Sequence, residues 1–237
     1  MKAIGDDRGY NYFAGIHGLP LPVGCDNAHG TPYFLPWHRA YLYFIERAMR
    51  DVVPEATLAW WDWRTPAGQP SRIPPAFAQR RVDAKTNPLY DAPIDPLARQ
   101  QGRRRGGDPG ARTTRQPSDP ADLTLPTPDD VEALMAIRDF GSFTEQLEQF
   151  HNLVHGWVGG SMSAIDVAAF DPIFWGHHTM VDRIWRVWQT HHPGAGPPAA
   201  ILDDALPPFR MTVRQTLSVT ALGYDYAAGT TSAAVRG

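Results

Sequence analysis

Nine histidines stand in this chain of 237 residues, and six of them fall into two triplets. The second triplet is His151, His155 and His178. His151 and His155 are four apart, so on a helix they project from one face and can grip one metal ion. His178 opens a stripe continued by Val181, Trp185 and Trp188 at helical spacing, so it should look into the interior. A buried neutral imidazole needs a partner there. The first triplet is His17, His29 and His38. Each triplet lies beside an aromatic-rich helix start. An HxxxH pair alone is a weak motif, and a single histidine is commonly a cap or a hydrogen-bonded core residue. The six together point to two metal ions, each held by three imidazoles.

The donor set narrows the metal. Helical di-iron sites use glutamates with histidines, and magnesium and calcium want oxygen. Copper binds imidazole strongly and fits best. Zinc in two three-histidine sites is the alternative by spacing alone. Three protein ligands leave a position open on each metal, so a small molecule can bridge the two. Copper with dioxygen implies oxidation of an electron-rich substrate; zinc with hydroxide implies hydrolysis.

Helices must position these residues. Residues 9–18 read as a short helix ended by Gly18, with His17 in its last turn. Pro36 can start the next helix, which carries His38 and an apolar face of Trp37, Tyr41, Phe44, Ile45, Ala48 and Met49. Thr127-Pro128-Asp129-Asp130 opens a capped helix. A further helix has Ser142 as N-cap, Glu145 in the capping-box position, and runs on through His151 and His155. After a Gly-Gly turn, Asp171 caps and Pro172 begins the helix of His178. His177 points away from that helix's apolar stripe, and His191 and His192 belong to a solvated loop. TLAWWDW is expected as a short buried strand or turn. About 96–126 reads as a mobile Arg/Gly/Pro-rich loop.

The fold class expected is mainly α: a helical-bundle core with long loops and few short strands, in one domain spanning 1–237. Hydrophobic residues make up 43%, enough for a real core. A net charge of -3 gives no general attraction to nucleic acid or an anionic membrane. The Arg103-Arg104-Arg105 run lacks interleaved aromatics and reads as solvated. No apolar run is long enough to span a membrane, and no signal peptide is recognised, so the cytoplasm is the expected compartment. One cysteine, Cys25, allows no intrachain disulfide.

Three stretches carry a resemblance. HGTPYFLPWHRAYLYFIERAM resembles the first metal motif of the type-3 copper proteins, the tyrosinases, catechol oxidases and haemocyanins. HNLVHGWVGGSMS with DPIFWGHHTMVDRIWRVWQ resembles the second, and LGYDY looks like the Tyr-x-Tyr closure of the tyrosinase core. The resemblance implies two copper ions, one on His17, His29 and His38, the other on His151, His155 and His178. It implies that Phe174 packs against the ligands and that Arg39, Glu46, Asp171 and Asp182 tie helices or orient ligands. Gly156 would leave the substrate side open, and Ile165 would border the entrance. Asn152 and Glu148 match the pair that holds a water for phenol deprotonation. Glu148 stands only three residues before His151, so o-diphenols are favoured over monophenols as substrates. The expected reaction is oxidation of a small phenol to an o-quinone with O2. The alternatives are an o-aminophenol oxidase and, in another class, a haemocyanin-like oxygen carrier. A copper-delivery partner is a further expectation. Cys25, four residues before His29, is expected as a free thiol rather than linked to a histidine. The chain stops soon after LGYDY, so no C-terminal shielding domain is expected.

Overall fold

The structure is a computed structural model, and it describes residues 1–21, 27–119 and 122–227. Cys25 lies outside the described residues. In chain order the elements are α1 (Tyr10–His17), α2 (Phe34–Arg50), α3 (Pro75–Ala78), β1 (Arg81–Val82), β2 (Lys85–Thr86), α4 (Pro96–Arg104), α5 (Pro128–Met135), α6 (Phe140–Val158) and α7 (Pro172–His191). The two strands form one small antiparallel hairpin at the surface. The rest of the regular structure is helical, as expected, and irregular segments add Trp61, Trp63, Ile94, Leu125, Leu206 and Phe209 to the core. Among the described residues, no helix is long and apolar enough to cross a membrane.

The centre is built by α2, α6 and α7, each packed on the other two. Their apolar faces interlock through large rings. Phe34, Tyr41, Phe143, Phe174, Trp185 and Trp188 are all fully buried. Phe143 lies parallel to Trp188 with centroids 4.5 Å apart. Helix α7 is buried at every position from Pro172 to Asp182. A helix buried all round belongs to the interior, not the surface.

One buried ion pair fastens α2 to α7. Arg39 Nε donates to Asp182 Oδ1 at 2.6 Å, and both side chains are essentially sealed from solvent. The guanidinium lies 3.6 Å from the Trp185 ring centroid and also donates to Gln189 Oε1 and the Thr216 carbonyl. The other Asp182 oxygen accepts from Tyr224 at 2.8 Å and Tyr226 at 2.6 Å. A buried pair helps only when its remaining donors and acceptors are satisfied, and here they are. The Tyr-x-Tyr closure is thus a pair of hydroxyls clamped on one carboxylate. Burial, then the Asp182 charge, pushes both phenols well above their ordinary range. Glu46 does a smaller version of the same job, accepting from Leu58 N at 2.9 Å and Thr57 Oγ1 at 3.2 Å.

The long central segment is irregular yet tied down. Asp171 caps α7 at Ile173 N and also receives Arg115 Nε at 3.0 Å. Arg115 reaches on to the carbonyls of Phe77 and Leu89. Gly159 and Gly160, at φ +66° and +57°, let residues 114–116 run against the turn after α6. A Cβ on either glycine would stand 2.3 Å from a carbonyl oxygen, of Gln116 or Thr114.

Several boundaries differ from expectation. Helix α2 begins at Phe34, two residues before Pro36, because a proline in the first turn forfeits no intrahelical bond. Helix α6 begins at Phe140, and its cap is Asp139, which accepts from Ser142 N. Ser142 is therefore inside the helix. The stretch expected as an Arg/Gly/Pro loop carries α4, opened by Asp95 and Pro96, and Arg105 just past it pairs with Asp166. TLAWWDW is neither strand nor turn. It is irregular chain whose Trp61 N–H bonds the Gly176 carbonyl at 2.9 Å, while Trp61 and Trp63 fill the core. His191 is exposed, but His192 is half-buried on Trp188 and bonds the Met135 carbonyl at 2.8 Å.

Replacing Asp182 by Ala strands Arg39 and two phenols in the core. Breaking a buried pair costs about 3–5 kcal/mol, which in a domain of this size lowers Tm by about 10 °C. Thermal melts followed by circular dichroism measure this; a Tm within about 2 °C of wild type would remove the pair from its role.

Candidate metal centre

The first cluster is assembled from three places. His17 is the last residue of α1, His38 lies on the second turn of α2, and His29 lies on the turn between them. Their ring centroids are 5.2–5.8 Å apart. His38 Nδ1 donates to the Phe34 carbonyl at 2.8 Å. In the neutral ring the other nitrogen then carries a lone pair. That Nε2 is buried and has no hydrogen-bond partner.

The second cluster comes from α6 and α7. His151 Nδ1 donates to Asn152 Oδ1 at 3.0 Å, and His155 Nδ1 donates to the Met162 carbonyl at 2.7 Å. Both Nε2 atoms are therefore lone-pair nitrogens. They face His178 Nε2 at 3.2 and 3.3 Å. His178 has one proton to share between its two nitrogens, so at most one of these approaches is a hydrogen bond. Two nitrogens bound tetrahedrally to one ion at about 2.0–2.1 Å stand about 3.3–3.4 Å apart. The observed spacing is that of a metal's ligand set, and the donor chemistry, imidazole throughout, suits copper.

The clusters face each other. His38 and His178 are stacked with centroids 4.7 Å apart, and His29 and His151 stack at 5.5 Å. Phe174, fully buried, lies 4.0 Å from His178 and 4.7 Å from His17, closing the site from behind. Burial, then the neighbouring imidazoles, keeps His17, His38, His151 and His178 well below the ordinary histidine range. Burial takes His155 down to about 4. Neutral rings are what a metal requires.

One side is open. A cleft of about 490 Å³ is lined by His17, His29, His151, His155 and by Glu148, Asn152, Gly156 and Ile165. Gly156 leaves room, since an added Cβ would meet only Leu123 at 3.7 Å. Ile165 is 45% exposed at the rim. Burial raises the Glu148 carboxyl, opposed by the Gly30 N–H.

All six predicted histidines come together as two triplets. The reading of His177 needs correction. Its ring is fully buried, stacked on His151 at 5.0 Å and edge-on to His155 at 4.9 Å, and its ligand atom lies in one group with those of His151, His155 and His178. The apolar stripe hid this, because α7 is buried on every face here and has no solvent side for His177 to take. The Met162 carbonyl that fixes His155 is a backbone group, so no residue type announces it.

The chain matches the family described as the common central domain of tyrosinase over residues 7–191. It is 31% identical to a tyrosinase of Streptomyces lincolnensis over 225 residues, covering 84% of this chain and 82% of that one. Its fold matches a functional unit of Octopus haemocyanin at a TM-score of 0.75 and 28% identity, covering 95% of this chain. It matches an Aspergillus oryzae pro-tyrosinase at 0.76 and 23% identity, covering 94%. The chain spans 61% and 63% of those two structures' chains.

The buried neutral rings set a pH dependence for the metal-free protein. Unfolded histidine protonates near pH 6.5 and the folded rings do not, so below 6.5 the unfolded state binds more protons. Stability is full above about 6.5 and falls as pH drops toward about 4, by about 1.4 kcal/mol per pH unit for each such ring. Melts of metal-free protein between pH 7 and 5 test this, and an unchanged Tm over that range contradicts it. These observations assign the chain to the tyrosinase family, as a tyrosinase-type enzyme whose two histidine clusters fit a pair of copper ions.

Proposed function

We propose that the protein oxidises o-diphenols to o-quinones with dioxygen as the electron acceptor. Two diphenols give up two electrons and two protons each, and one O2 takes all four of both to become two waters. The observation that carries the reading is the pair of imidazole clusters facing one open cleft. Bound copper supplies the redox chemistry between the phenol and dioxygen.

The chain's own residues supply the rest. His17, His29 and His38 would hold one copper, and His151, His155 and His178 the other. Asn152 Oδ1 takes the Nδ1 proton of His151 and so keeps its Nε2 facing inward. The Met162 carbonyl does the same for His155. Such outer contacts orient metal ligands. Phe174 and the buried rings behind it exclude water from the rear, leaving the cleft as the way in. Ile165 offers an apolar rim to an aromatic ring, and Gly156 leaves space beside His155. Glu148 is the carboxylate in the cleft wall and, beside Asn152, the group to receive a phenolic proton.

Support for diphenols over monophenols lies in Glu148. Both its oxygens already receive the Gly30 N–H, at 2.8 and 3.0 Å. A carboxylate so engaged is poorly free to hold a water for the harder deprotonation of a monophenol. The openness of the cleft favours an enzyme over an oxygen carrier.

Oxygen uptake by copper-loaded protein, with catechol, L-tyrosine and an o-aminophenol measured side by side, tests the reading. Catechol is expected to turn over without a lag and faster than either of the others. Reversible oxygen binding without turnover would overturn the enzymatic reading. Tyrosine hydroxylation as fast as catechol oxidation, without a diphenol primer, would overturn the diphenol preference.

A further inference from the structure

Six of the seven clustered histidines ride on helices, and His29 alone does not. It sits in the turn at residues 27–30 between α1 and α2. Thr31 Oγ1 donates to the Ala28 carbonyl at 2.7 Å, which closes the turn. Gly30, the next residue after His29, has φ +68°, a left-handed conformation that glycine reaches without steric penalty. Its N–H is received by both oxygens of Glu148, at 2.8 and 3.0 Å. No arginine or lysine among the described residues forms an ion pair with Glu148. Its side chain is nevertheless almost wholly buried, with the residue 7% exposed.

A carboxylate in such a place, accepting a backbone N–H, makes a charge-assisted bond stronger than an ordinary one. It joins two parts of the site that are far apart in sequence. Glu148 lies on α6 three residues before His151, which belongs to the second cluster. Gly30 adjoins His29, which belongs to the first. The His29 ring in turn stacks on His151 at 5.5 Å. Helix α6 therefore grips the first cluster's one helix-free ligand twice, through the backbone beside it and through its ring.

We propose that Glu148 is a positioning residue that latches the His29 turn, so that retention of the first copper depends on the helix bearing the second. The proposal rests on the copper-enzyme reading above. It gives Glu148 a task beyond proton transfer: holding a ligand in place when no substrate is present. Removing the latch frees the turn and weakens the first site selectively. Loss of an outer contact of this kind weakens metal affinity about 10–100-fold.

The test uses the full chain with Glu148→Ala, Glu148→Gln and, as a reference for loss of the first site, His29→Ala. Each is loaded with copper and equilibrated against a competing chelator, and copper per chain is measured. Wild type is expected to keep two, and Glu148→Ala to fall to one at the chelator strength where His29→Ala does. Glu148→Gln keeps one carbonyl acceptor for the Gly30 N–H and is expected to lie between them. A second readout needs no metal. Amide hydrogen exchange at Gly30 in the metal-free protein is expected to be faster in Glu148→Ala than in wild type.

If Glu148→Ala kept both coppers as firmly as wild type, or lost both together, the latch would be wrong. Unchanged Gly30 exchange would overturn it too. Wild-type protein that takes up no pair of coppers would instead overturn the copper reading, while Gly30 exchange still decides the latch. Should Glu148→Ala not fold, Glu148→Gln alone decides, since its weaker grip must still show as easier loss of one copper.

Discussion

Imidazole lone pairs aimed at one another inside a dry core are the constraint on which this structure depends. His151 and His155 each give their one ring proton outward, to Asn152 and to the Met162 carbonyl, and turn bare nitrogens toward His178. His178 can donate to only one of the two, and burial holds the rings neutral, so they do not take up protons to satisfy the rest. Left as they are, they weaken the fold. A shared cation converts the same arrangement into a bonded one. The core thus spends stability on a site that only a soft-to-borderline metal repays.

Holding that arrangement needs a scaffold that cannot relax. The three central helices meet through stacked rings, and the Arg39–Asp182 pair locks α2 to α7 one turn beyond His178. Asp182 carries three donors at once, from Arg39, Tyr224 and Tyr226. The last segment of the described chain is thereby fastened to the helix that bears His178. The irregular middle of the chain is anchored at the other end of α7, where Arg115 meets Asp171. On the cleft side, the His29 turn is tied to α6 by the Gly30 N–H on Glu148.

Much of this was legible in the residues. The two histidine triplets and the cap at Asp171 and Pro172 rest on local spacing and residue type, which a sequence carries, while the Tyr-x-Tyr closure was implied by the family resemblance. Phe174 packs on the His178 ring, and Gly156 and Ile165 line the cleft. His177 was misread because a periodicity argument assumes that a helix has a wet side, and α7 has none there. The cap of α6 is Asp139 rather than Ser142, because the Asp139 carboxylate accepts the Ser142 N–H and the helix already starts at Phe140. Helix α4 was hidden by a composition that favours loops, although Asp95-Pro96 is a sound start signal. The Glu148–Gly30 contact spans 118 residues and no pattern in the chain announces it.

Diffraction from copper-loaded crystals at the copper absorption edge tests the central claim most directly. Two anomalous peaks are expected, one within bonding distance of His17, His29 and His38, the other of His151, His155 and His178. A single peak, a peak bonded to a carboxylate, or His177 bound in place of His178 would contradict the account.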